Sequence, residues 1–99
     1  MTIYENLQRL GLPIAYGLHT DPVAPPYLIL IGQGQDQIRA DNTYIATQER
    51  YNLEYYFTEK DPDLESDIEE LLLSIDRLYT KSEDIYIEDE KVFVVYYGF

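Results

Sequence analysis

Tyr51-Asn52-Leu53-Glu54-Tyr55-Tyr56-Phe57, then Asp61-Pro62 with the acidic, leucine-rich run that follows it, then Val92-Phe93-Val94-Val95-Tyr96-Tyr97, decide how this chain folds. Tyr51, Leu53, Tyr55 and Phe57 recur at every second position, the period of a β-strand. Asp61-Pro62 is a helix start, because the Asp carboxylate accepts from free amides of the first turn and Pro loses no hydrogen bond there. Leu64, Ile68, Leu71, Leu72, Ile75 and Leu78 fall on one stripe and predict a helix over about 62–78. Asp63, Glu65, Asp67, Glu69 and Glu70 load the opposite face and the positive end of the helix dipole, so these acids read as a solvated surface. Ile85-Tyr86-Ile87 and Val92 to Tyr97 flank the polar turn Glu88-Asp89-Glu90-Lys91 and make a closing hairpin. Both alternate sets of the last strand are apolar, so each of its faces requires a cover, the helix or another subunit.

Working back toward the N-terminus, Tyr27-Leu28-Ile29-Leu30-Ile31 is an uninterrupted apolar run between Pro26 and Gly32, the pattern of a central strand covered on both faces. Gly32-Gln33-Gly34-Gln35-Asp36-Gln37 reads as polar and flexible, and Thr43 to Thr47 regain strand character, which together predict a hairpin with a long polar tip. His19 to Pro26 is too proline-rich for regular structure, and Ile14 to Tyr16 form a brief strand. Thr2 with Glu5 has the form of a capping box ahead of Ile3, Leu7 and Leu10, and Gly11 ends that short first helix. The fold expected is α+β: a mostly antiparallel sheet of about four to six strands packed against two helices.

Ninety-nine residues suit one domain, 1–99, since a chain of this size buries roughly 60 to 70 % of its unfolded surface. Hydrophobic residues at 45 % against 26 % charged place it among folding chains. Nineteen acids against seven bases give a net charge of −12, which repels a phosphate backbone and argues against sequence-specific nucleic-acid binding. Such a surface keeps a small protein soluble or complements a basic partner. Cysteine is absent, so disulfides, thiolate nucleophiles and cysteine metal sites are excluded. No run approaches the ~20 apolar residues of a membrane span and Met1 to Glu5 lack the pattern of an export signal, which predicts a protein that stays in the cytoplasm when made.

The chemical motifs fall short. Gly32-x-Gly34 follows a strand as a dinucleotide fingerprint does, but position 37 is Gln and no helical pattern follows. Asp61, Asp63, Glu65 and Asp67 lack the glycine of a calcium loop, and Glu83, Asp84, Glu88, Asp89 and Glu90 read as charge that discourages edge pairing. His19, the single histidine, has only Asp21 nearby in sequence. The expectation is a protein with no catalytic residues, no cofactor and no metal. The adjacent pairs Tyr55-Tyr56 and Tyr96-Tyr97 each send one ring away from the main core, and tyrosine serves subunit contacts as readily as strand packing.

Pro26-Tyr27-Leu28-Ile29-Leu30-Ile31-Gly32-x-Gly34, Ala40-Asp41-Asn42, Tyr51 to Phe57 and Lys81-Ser82-Glu83-Asp84-Ile85-Tyr86-Ile87-Glu88-Asp89-Glu90 resemble small virion proteins from prophages of Gram-positive bacteria. The resemblance covers the chain from Leu12 onward and is to the tail-terminator or tail-completion class of long-tailed phages, encoded among head-tail joining genes. It implies a non-catalytic α+β subunit that forms a ring on the tail tube, with itself, tail-tube proteins and head-connector proteins as partners, and a passage from the bacterial cytoplasm into the virion. Six copies would carry 6 × −12 = −72, so the acids must face solvent, a channel or basic partners. On this reading the polar loop from Gly32 to Asn42, with Gln33, Gln35 and Arg39, contacts a tail or connector protein, and Tyr56, Tyr97 and Phe99 cover subunit contacts. The alternative is an acidic decoy whose carboxylates imitate DNA phosphates and occupy a basic host nucleic-acid-binding enzyme.

Overall fold

Thr2 opens the first helix as a reciprocal cap: its hydroxyl accepts from Glu5 N and Glu5 Oε1 accepts from Thr2 N, at 3.1 and 3.0 Å. The helix, α1 (Ile3–Gln8), begins a computed structural model that describes residues 1–40 and 43–99, and the side chains of residues 1–37 and 47–99. Then follow β1 (Ile14–Tyr16), β2 (Tyr27–Ala40), β3 (Thr43–Phe57), α2 (Pro62–Ser74), β4 (Thr80–Lys81), β5 (Ile85–Ile87) and β6 (Val92–Gly98). The fold is α+β, with a six-stranded sheet of order β1-β2-β3-β6-β4, β5 pairing β6 farther along the same strand. Among the described residues β1 and β2 run parallel and the other pairings are antiparallel.

Register places Leu28, Tyr55 and Val95 in one row, and Leu30, Leu53 and Tyr97 in the next. These rows face the helices and join Leu7, Phe57, Ile68, Leu72 and Phe99 in the core. Rows of opposite parity, Tyr27-Tyr56-Val94 and Ile29-Glu54-Tyr96, form the second face. Tyr27, Ile29 and Ile31 are only half-buried there, so the central apolar run is covered fully on one side and in part on the other.

Two expectations change. The main helix stops at Ser74 rather than near Leu78. Asp76 takes a left-handed conformation (φ 60°), its N–H reaches Leu73 O and the N–H of Arg77 reaches Leu72 O, the paired bonds of a Schellman ending. Leu78 lies beyond it, 85 % exposed. The second change concerns the polar loop: Gln33 to Ala40 continue β2 and pair with β3 as far as Ala40↔Thr43. Ladder hydrogen bonds need no apolar side chains, which is why a Gln-rich strand escaped the hydrophobic pattern. Asp41 and Asn42 lie outside the described residues.

Candidate assembly surfaces

Among the described residues β3 pairs with β6 only from Asn52 to Phe57, and β2 pairs with β1 only from Leu28 to Leu30. From Gln33 outward, β2 and β3 therefore form a two-stranded arm that leaves the body. At about 3.4 Å per residue the eight residues from Gln33 to Ala40 span about 27 Å, and the molecule measures 50 × 26 × 25 Å. A register shift between Gly32 and Gln35 sits where the arm departs, with Gly34 at φ 86°. Gly32 lets Tyr16 approach closely: a Cβ there would lie 2.6 Å from Tyr16 Oη, which accepts from Gly32 N at 2.8 Å, so a larger residue would push that exposed ring aside. Pairs across the arm hold its base, Arg50 Nη1 to Asp36 Oδ2 at 2.8 Å and Gln35 Nε2 to Glu49 Oε1 at 2.6 Å.

The second surface is the open face of the sheet. Tyr27 and Tyr56 stack at 4.8 Å between centroids, and Tyr56 Oη donates to Glu54 Oε1 at 2.6 Å. Burial, then that carboxylate, push the Tyr56 hydroxyl pKa well up, so it stays a donor. His19 meets Tyr27 edge-on at 5.2 Å, and its Nε2 lies 3.0 Å from Leu28 O. That contact pins the proline-rich loop to the edge of this face. Leu18, His19, Val23, Tyr27, Ile29 and Glu90 border a cavity of about 460 Å³ there.

Of the interface residues expected from sequence, Gln33 and Gln35 are exposed on the arm, and the side chain of Arg39 lies outside the described residues. Tyr56 is half-buried on the open face. Tyr97 and Phe99 are corrected: at 0 % and 4 % exposure they belong to the chain's own core and have no surface left for a neighbour. The tyrosine pair resolved the other way, because register puts Tyr97 in the row of Leu30 and Leu53 and turns Tyr96 outward. The apolar Val95 two positions earlier carries the same parity, but every residue of that strand is apolar or aromatic up to Tyr97, so sequence had no polar mark to choose by.

Two acids assigned to the solvated face of α2 also turn inward. Glu65 is 2 % exposed and lies 2.8 Å from Lys60 Nζ and 2.9 Å from Lys81 Nζ. Glu69 accepts from Lys81 Nζ at 2.8 Å, Tyr97 Oη at 2.8 Å and Tyr79 Oη at 3.3 Å. This cluster braces α2 to β4 and β6. Burial pushes the Glu69 carboxyl up, but the hydrogen bonds from Lys81 and Tyr97 outweigh it and leave its pKa below the ordinary value. Tyr55 Oη, beside this cluster, is buried without a hydrogen-bond partner, and burial with the nearby Glu65 charge pushes its pKa up to about 12.

Among the described residues no three of the His, Asp and Glu side chains gather as metal ligands, and no helix is long and apolar enough to cross a membrane. No protein-family model matches the chain, and no curated protein matches it significantly.

Proposed function

We propose that this protein is a structural subunit of a long-tailed phage virion, a tail terminator or tail-completion protein that forms a ring at the head-tail junction. The observation that carries the reading is the shape of the chain: a braced α+β body from which a two-stranded arm projects, beside an open sheet face carrying Tyr27, Tyr56 and Tyr96. Self-assembling subunits require such elements, a rigid body together with backbone edges and amphipathic rings offered to neighbours. The sequence resemblance supplies the class of assembly, and tail-tube and head-connector proteins are the other partners. The role needs no reaction centre, and the subunit passes from the host cytoplasm into the particle.

Inactivating the coding gene in the phage or prophage and imaging the particles tests this. Tails of uncontrolled length, or tails unjoined to heads, are the expected result. Normal particles, with the protein copurifying instead with a basic host enzyme, would replace the ring subunit by the acidic decoy.

A further inference from the structure

We propose that the arm is the joint between copies: the free edge of β2 in one subunit pairs with the free edge of β3 in the next, closing the arms into one continuous antiparallel barrel. The inference rests on the ring reading above and names the segment that builds the ring.

The edges begin where the body stops capping them. On the β2 side the outermost group bonded to the body among the described residues is Gly32 N, which donates to Tyr16 Oη at 2.8 Å. On the β3 side, Tyr51 and Phe99 exchange two backbone bonds of 2.6 and 3.0 Å, and Arg77 Nη1 covers Glu49 O at 2.7 Å. Beyond these points the arm's backbone has no strand partner among the described residues except its own other half. A lone two-stranded ribbon is marginally stable in water. Exposed edges are ordinarily blunted by Lys, Pro, other charges or bulges; residues 33–50 contain no Lys or Pro, and the irregularities of the arm lie between Gly32 and Gln35 and between Ile38 and Arg39, leaving the stretch from Gln35 to Ile38 regularly paired.

Charge selects the occupant. Residues 33–50 hold Asp36, Asp41 and Glu49 against Arg39 and Arg50, a net −1, which leaves −11 of the −12 on the body. Copies that meet arm to arm bring together their least charged parts and keep the acidic bodies apart, whereas a basic partner would find the better target on the body. Direction also fits. Rotation about an axis along the arms preserves the direction of β3, so a neighbour's β3 arrives antiparallel to β2, and closure removes every free edge.

The test replaces residues 33–50 with Thr-Asn-Gly-Thr: Gly32 and Tyr51 are register partners whose N–H groups point away from each other, so the two threonines supply the hydrogen-bonded pair that a two-residue Asn-Gly turn closes. Among the described side chains, none in the deleted segment belongs to the hydrophobic core. Light scattering on the wild type should give a multimer, and on the shortened protein a monomer that keeps its circular dichroism and cooperative melt. Hydrogen exchange on the wild type should show arm amides slowed roughly tenfold or more in the multimer relative to the diluted monomer. If the shortened protein does not fold, that exchange measurement decides alone. A shortened protein that assembles like the wild type, or arm amides that exchange equally fast in both states, would remove the arm as the joint while the ring stands. A wild type that stays monomeric up to about 1 mM, weaker than the roughly −4 kcal/mol such a threshold represents, would overturn the joint and the self-assembling ring together.

Discussion

Glu69 shows at the scale of one residue how a charge that looks solvent-facing becomes structural. It stands one position from the apolar stripe of α2, and Lys81 of β4, Tyr97 of β6 and Tyr79 just before β4 donate to it. Its folded pKa is lowered, so its contribution is present above the ordinary value of 4.5 and lost as pH falls through the folded value. Lys81 runs the opposite way: burial lowers its pKa, the bonds to Glu69 and Glu65 more than reverse this, and its contribution is lost only as pH rises above 10.5. Glu69→Gln should therefore cost about 1 kcal/mol at neutral pH, discounted for the partial exposure of both partners. The difference from wild type should vanish as pH drops below the folded pKa of Glu69, and urea denaturation of both proteins across the acidic range measures it. A difference that persists in acid would show that packing rather than charge supplies the effect. None of this was legible from spacing alone, because Glu65 and Glu69 lie between the solvent face and the apolar stripe and only the lysines of neighbouring segments settle their side.

At the scale of elements, α2 separates what periodicity can see from what it cannot. The stripe Leu64, Ile68, Leu71, Leu72 and Ile75 is real, and Asp61 caps it by accepting from Leu64 N at 3.1 Å. Leu78 continued the stripe in sequence but not in space, since Asp76 turned the chain with a left-handed residue where glycine is the usual mark. Leu72→Ala should cost 2–5 kcal/mol as a fully buried truncation, while Leu78→Ser should stay within about 0.5 kcal/mol. Chemical denaturation of the two variants checks this; comparable losses would put Leu78 back in the core. The arm is the converse case. Thr43 to Thr47 showed strand character in sequence, but the Gln- and Gly-rich segment Gln33 to Gln37 did not, since it is held by backbone pairing that side-chain patterns do not report.

At the scale of the whole molecule, the uneven placement of charge governs association. With −11 on each body, copies repel one another at range, and added salt shortens that reach from ~14 Å at about 50 mM to ~4 Å at about 500 mM. Assembly should therefore strengthen over that range, by several-fold in the midpoint concentration followed by light scattering, whereas capture by a basic partner would weaken. Weaker self-association at high salt would sink the arm-to-arm arrangement. The sequence by itself determined the class of fold, both helix starts, the apolar strands and the excess of acid, because periodicity, capping chemistry and composition are local properties. Only the tertiary structure decided which tyrosine of each pair is core, which acids turn inward, where α2 ends and that the polar segment is an arm. The tyrosines and the arm depend on strand register, the acids on lysines and tyrosines brought from other segments, and the end of α2 on a left-handed residue that is not glycine; none of these leaves a periodic trace in the order of side chains.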